Sequence, residues 1–283
     1  DADPVAAAPL SDAGLTPYHA IKNSLPKLQG GGKTALVIGL GGLGQLAVQI
    51  LTAITGATVI ATDSKPDAME RAASRGAITV PSGDDQAARI RELTGGRGVD
   101  AVFDFVGIAP TVALSMQSVA VQGRVTIVGI AGGVYDWGFF TVPYEAELLS
   151  TYWGTIEELY EVVALYRAGK ITPDVEIFDM EHALDAYTKL ESGKLSGRAV
   201  VAPHGQSNSS PFRLWRANRF RAASAPHSIS SRQRRACLRH VLACTGSPAI
   251  ECRASLARTR HVSTSSRARV RARRLRGGTD RGR

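Results

Sequence analysis

Apolar and polar positions along this chain fall into two interleaved patterns. Short, largely apolar runs recur at residues 35–38, 58–61, 77–80, 99–106 and 124–128. Each is bounded by turn residues, is rich in strand formers and is too short for a helix, so each predicts a buried β-strand. Between them lie stretches with apolar residues three and four apart. Residues 44–54 place Leu46, Val48, Ile50, Leu51 and Ile54 on the buried side of a helix, and 66–76, 84–93 and 110–119 read the same way. Pro66 suits a first helical turn and Gly76 a helix end. Repeated strand–helix alternation predicts an α/β fold with a parallel sheet covered on both faces.

The pattern continues less regularly on either side. Ahead of the first strand, residues 4–10 are small and apolar, Ser11-Asp12 reads as a helix cap before a helix at 13–21, and the glycines of 27–33 form a loop. After residue 128 come a glycine-containing loop at 129–138, strand-like pieces at 139–143 and 147–152, and a helix at 156–168. A strand at 175–178, a helix at 180–190 and a last strand at 197–201 follow. Three segments result: a lead-in (1–33), the α/β body (34–203) and a different kind of sequence (204–283).

One stretch carries chemistry. The strand at 35–38 runs into Gly39-Leu40-Gly41-Gly42-Leu43-Gly44, then a helix, then a second strand that ends at Asp63. A G-x-G-x-x-G string is weak evidence alone, but strand, glycine turn, helix, strand and acid together form a dinucleotide-binding fingerprint. Gly39 allows the tight turn, Gly41 lets a pyrophosphate approach the backbone, and Gly44 lets the helix pack close to the strand. The helix start offers free N–H groups and a positive dipole end to a phosphate. Asp63 stands where a carboxylate accepts from an adenosine ribose and repels a 2′-phosphate, which favours NAD over NADP. The fold expected is a doubly wound Rossmann sheet.

Charge sharpens the boundary near residue 203. The whole chain has a formal net charge of +9, which would suggest an acidic partner. From His204 onward, however, there are 19 arginines, no lysine and only Glu251 and Asp280 as acids, a net +17. The preceding 203 residues hold 15 bases and 23 acids, a net −8. The basic tail has no sustained apolar period, so it is expected to be disordered, because it cannot bury enough apolar surface to offset its ordering entropy. Cys237, Cys244 and Cys252 all lie in the tail, at spacings that match no zinc finger. The cysteine-free body fits a cytoplasmic protein. Residues 1–10 lack the features of a signal peptide, and no apolar run is long enough to predict a transmembrane helix.

The segments DPVAAAPLSDAGLTPYHAI, GLGGLG, VFDFVG, VTIVGI, TYWGT and GRAVV occur in that order over residues 1–203. In them the chain resembles the zinc-dependent medium-chain alcohol dehydrogenases, most closely the secondary-alcohol type of actinobacteria. The resemblance implies an oxidoreductase that moves a hydride between a secondary or primary alcohol and NAD. In that chemistry zinc acts as a Lewis acid on the alcohol oxygen, and the nicotinamide does the redox step. The family's second lobe, which supplies most of the zinc shell, is expected to be absent from this chain.

The resemblance also implies site residues. Thr16 and Trp153 are the expected catalytic positions, with Thr16 and Leu43 against the nicotinamide and Tyr152 and Trp153 flanking nicotinamide and substrate. Around the cofactor it places Gly39, Gly41, Gly42, Gly44, Asp63 and Lys65, then Phe105, Val106 and Gly107, then Val128, Gly129 and Ile130. Arg198 resembles a family arginine that contacts the pyrophosphate. Plain sheet core is the alternative for Phe105, Val106 and Val128, and an exposed edge or subunit contact for Tyr152 and Trp153. Asp12 stands four residues before Thr16, at the family's zinc-ligand position; a helix cap is the other reading. One carboxylate cannot hold a catalytic zinc, which needs three protein ligands. His19 reads as a packing or hydrogen-bonding histidine.

The family pairs its Rossmann domains edge to edge, so a homo-oligomer through the strands around 139–149 is expected. Two readings from other classes stay open: an NAD-binding fragment without turnover, and a tail that binds nucleic acid without specificity through counterion release. Arginine without lysine and without a recognition fold also matches an out-of-frame translation of GC-rich DNA, and that composition favours it over selected nucleic-acid binding.

Overall fold

The computed structural model describes residues 2–203. The expectations for the basic tail, its cysteines and its contact with nucleic acid lie outside the described residues.

Six strands form one all-parallel sheet: β1 (Thr34–Ile38), β2 (Thr58–Thr62), β3 (Ile78–Thr79), β4 (Val99–Asp104), β5 (Val119–Ile127) and β6 (Glu147–Ser150), in the order β3-β2-β1-β4-β5-β6. The order reverses between β1 and β4, and ligands of such sheets bind at the carboxyl ends of the strands at that switch point. Four helices connect the strands: α3 (Gly44–Ile54), α4 (Pro66–Ser74), α5 (Gln86–Glu92) and α6 (Ala109–Ser118). Ahead of the sheet lie α1 (Pro4–Ala7) and α2 (Leu15–Ser24). After it come α7 (Ile156–Arg167), α8 (Ala183–Glu191) and a separate parallel pair, β7 (Val175–Asp179) with β8 (Arg198–Ala202).

The period of two along each strand sorts the core into layers. Ala35, Val37, Val59, Ala61, Ala101 and Phe103 face one way, onto Leu46, Ile50 and Leu51 of α3, Ile21 of α2 and Val162 of α7. Leu36, Ile38, Ile60, Val102 and Val125 face the other way, with Ile90 of α5 and Met116 of α6. Strands buried on both faces explain the continuous apolar runs in the sequence. Among the described residues no helix is long and apolar enough to cross a membrane.

Three local expectations are corrected. Ser11 and Asp12 do not cap α2. A 3-10 turn at Ala8–Ser11 intervenes, the helix starts from Gly14 without a side-chain cap, and the Asp12 carboxylate turns to Arg198 instead. Residues 139–143 are a turn rather than a strand. The Thr141 hydroxyl accepts from the Gly138 N–H and donates within the turn, leaving Phe139 and Phe140 edge to face and exposed. Strand β5 starts at Val119, ahead of the expected 124. It contains an irregularity where Gln122 takes φ 61° and the pairing jumps from Val99–Val119 to Ala101–Arg124.

The amino end of β4 is pinned by charge. Asp100 is buried. It accepts from Lys33 Nζ (2.9 Å), the Thr34 backbone N–H (2.9 Å) and both terminal nitrogens of Arg97 (2.9 Å each). Burial pushes its pKa up, but the bonds from Arg97, Lys33 and Thr34 outweigh this and hold it well below the usual carboxylate range. A depressed native pKa stabilises the fold fully above the unfolded value of about 3.9 and loses that contribution as pH falls through the native value. Asp100→Asn is therefore expected to be less stable than the parent at neutral pH, with the gap closing below about pH 2. Urea midpoints measured across that range check it, and a gap independent of pH would count against the ion cluster.

Candidate cofactor site

The carboxyl end of β1 leads into the glycine turn, where space decides each residue. Gly39 has φ +85°, and a Cβ there would lie 2.6 Å from Val106 Cγ2. A Cβ on Gly44 would sit 1.8 Å from the Gly39 carbonyl oxygen, so only glycine lets α3 start against the strand. A Cβ on Gly41 would meet nothing within 4 Å, so this face of the turn is open. Helix α3 begins without a side-chain cap, and its dipole places partial positive charge at the turn. Leu43 is partly buried and packs against the core.

Asp63 follows β2 and is tied to that turn. Its Oδ2 accepts from the Leu40 N–H at 2.6 Å, and its Oδ1 from the Lys65 N–H at 2.9 Å. A cleft of about 290 Å³ opens beside it, lined by Leu40, Gly41, Asp63, Lys65, Arg71 and the loop 193–197. Lys65 reaches across to the Gly193 carbonyl, so its ammonium bridges the two walls.

The end of β4 meets the end of β5 backbone to backbone. A Cβ on Gly107 would lie 2.2 Å from the Gly129 oxygen, and one on Gly129 would lie 2.2 Å from the Val106 carbonyl carbon. One residue overlooked at the sequence level organises both loops. Asp104, fully buried, accepts at Oδ1 from the N–H groups of Val106 (2.9 Å) and Gly107 (3.0 Å). Its backbone oxygen accepts from Val128 (2.8 Å) and Gly129 (2.9 Å). The signal was an acid inside the apolar run VDAVFDFV. Phe105 and Val106 pack against the core, Val128 is buried within it, and Ile130 projects to solvent.

Arg198 comes from β8, on the small second sheet. Its side chain lies over the glycine turn: a Cβ on Gly42 would be 2.7 Å from its Cδ and 2.9 Å from its Nε. Burial pushes the guanidinium below its ordinary pKa, and its Nη2 donates to the Asp12 carboxylate. Side chains of α3 and of Arg75, just after α4, anchor this sheet. Gln49 exchanges hydrogen bonds with the Thr172 backbone (2.8 and 3.1 Å), and Arg75 bridges Gln45 and Asp174. The Asp174 oxygen then accepts from the Arg198 N–H at 2.9 Å.

Thr16 lies on α2 with its hydroxyl buried and without a hydrogen-bond partner among the described residues. Tyr152 and Trp153 are exposed and stacked, with ring centroids 4.4 Å apart. Trp153 takes a left-handed backbone (φ 53°). The next residue, Gly154, presses on Leu15 beside Thr16, where a Cβ would lie 2.7 Å from Leu15 Cδ1. The His19 Nδ1 is 2.8 Å from Glu158 Oε2, a link between α2 and α7, and its Nε2 is 3.0 Å from Asn23 Nδ2.

This geometry has relatives. Residues 42–168 match the model of the family described as zinc-binding dehydrogenase. The nucleotide-binding part of this chain belongs to the zinc-binding dehydrogenases. An NAD-dependent alcohol dehydrogenase of Sulfolobus acidocaldarius is 37% identical over 199 residues, 69% of this chain and 57% of that protein. A D-arabinose 1-dehydrogenase (NADP(+)) of Saccharolobus solfataricus is 32% identical, over 71% of this chain and 58% of that one. The crystal structure of an alcohol dehydrogenase from Aeropyrum pernix superposes with a TM-score of 0.65 at 36% identity, covering 70% of this chain and 58% of that one. The chain thus spans somewhat more than half the length of the curated relatives it matches.

The family's two groups fit these residues unequally. An open Gly41, an arginine over Gly42 and an acid tied to the turn suit a dinucleotide. Zinc does not fit the described donor set. Among the described residues no three His, Cys, Asp or Glu side chains gather to hold a metal ion, and Asp12 is engaged by Arg198.

The glycine contacts give a direct contrast. Gly44→Ala is expected to lower the thermal midpoint by several degrees, because backbone must move, whereas Gly41→Ala leaves it nearly unchanged. Melting curves of both variants by circular dichroism decide; equal midpoints would contradict the close approach.

Proposed function

We propose that this chain holds NAD and is the cofactor-binding half of an alcohol dehydrogenase-type oxidoreductase acting on small secondary or primary alcohols and their carbonyl products. The observation that carries the reading is the convergence of Asp63 and Arg198 on one glycine turn. The pyrophosphate lies across Gly41, Gly42 and Leu43, at the positive start of α3 and under Arg198. Asp63, with Lys65 beside it, receives the adenosine ribose in the adjacent cleft. Gly107 and Gly129 bring the backbone of Phe105–Gly107 and Val128–Ile130 close enough to line the rest of the cofactor. Thr16 has a spare hydroxyl for the nicotinamide end, and Tyr152 and Trp153 cover it.

Bound NAD supplies the hydride acceptor. The chain's own residues bind it, orient it and set its identity. Relatives differ between NAD and NADP, and the Asp63 carboxylate decides for NAD here, because a 2′-phosphate would meet its charge. No step is assigned to zinc, since Asp12 alone cannot hold it. Pairing of two copies along the exposed β6 edge, next to Trp137, Phe139 and Phe140, is part of the same reading.

NADH fluorescence titration tests this. Binding is expected, with NADPH at least about ten-fold weaker, and Asp63→Asn narrowing that gap. NADPH binding tighter than NADH would overturn the assignment. Turnover of 2-propanol with NAD and added zinc is expected to be negligible for this chain alone.

A further inference from the structure

Arg198 and Asp12 stand 186 residues apart in sequence, and their side chains form an ion pair beside the glycine turn. Three observations bear on its role. The Arg198 side chain lies against Gly42, so its guanidinium occupies the face of the turn that a pyrophosphate must approach. Asp12 is about half exposed, and a cavity of about 330 Å³ lined by Ala8, Pro9, Asp12 and Arg198 gives its carboxylate room to swing away. Finally, the described residues supply Asp12 with no metal-binding cluster that would draw it elsewhere.

We propose that Asp12 is a counter-ion that competes with the dinucleotide pyrophosphate for Arg198, and so sets cofactor affinity. This rests on the NAD-binding reading above. Without cofactor, the carboxylate satisfies the guanidinium and cancels its charge at the turn. With cofactor, the phosphate oxygens take the same donors, and Asp12 turns to solvent in the adjoining cavity. The carboxylate at the family's zinc-ligand position thereby tunes the nucleotide site of this chain. No metal is needed for that effect.

The test is a double-mutant cycle on NADH affinity, read by fluorescence on the full 283-residue chain. Asp12→Asn keeps the size of the side chain and removes its charge. It is expected to tighten NADH binding about two- to five-fold, the scale of a half-exposed ion pair. Arg198→Gln is expected to weaken binding, and in that background Asp12→Asn is expected to change nothing. The gain from Asp12→Asn should also shrink in about 1 M salt, where exposed charges are screened. Unchanged or weaker binding by Asp12→Asn, or a gain that persists without Arg198, overturns the proposal while leaving the cofactor reading intact. Failure of every variant, the parent included, to bind NADH overturns both. Circular dichroism confirms that each variant is folded, and Asp12→Ser replaces Asp12→Asn should the latter not fold.

Discussion

Helix α3 reaches the sheet because Gly44 has no side chain. With its start held against the Gly39 carbonyl, the helix lies on β1 and β2, and its apolar side fills the larger core layer. The same placement does two further things. It aims the helix start, with its N–H groups and positive dipole end, into the crevice at the switch point. It also fixes Gln45 and Gln49, which hold the segment before β7 and so carry β8 and Arg198 to the turn. One missing methyl group thus sets the position of a side chain more than 150 residues later in the sequence.

The parts of the site that were legible in the sequence are those whose partners lie nearby in the chain. Gly39 to Gly44 and Asp63 belong to one βαβ unit, so spacing alone placed them. The continuous apolar runs also revealed strands buried on both faces. What could not be read was long-range. Asp12 satisfied the local rule for a helix cap, and only the fold brings Arg198 to it; the side chain took the charged partner, and Gly14 was left to begin α2. Asp104 sat inside an apolar run as one of two acids, and its role rests on the adjacent loop of β5. The strand-like pattern at 139–143 lost to the hydrogen bonds of Thr141, a local competitor that hydrophobic periodicity ignores.

Strand β4 carries two acids with opposite duties. Asp100, at the amino end, gathers positive side chains and locks the strand to the loop before β1. Asp104, at the carboxyl end, accepts from backbone N–H groups at Oδ1 and at its backbone oxygen, and so shapes two loops. The first uses charge for cohesion. The second uses directed hydrogen bonds to place backbone where a ligand passes. The division fits an open α/β sheet, whose carboxyl ends hold function while the opposite ends serve stability.

The contact between Arg198 and the glycine turn also bears on how the protein folds. Local helix and hairpin contacts close short loops, whereas this contact joins elements from opposite ends of the body and carries the entropy of a long closure. The βαβ unit around Gly39 is local in sequence, whereas the place of the arginine depends on β7 and β8 being paired and anchored to α3. The site at the glycine turn is therefore an attribute of the whole domain rather than of one unit. A ligand held there favours the fully assembled state by mass action, and its binding reports on foldedness from the first helix to the last strand.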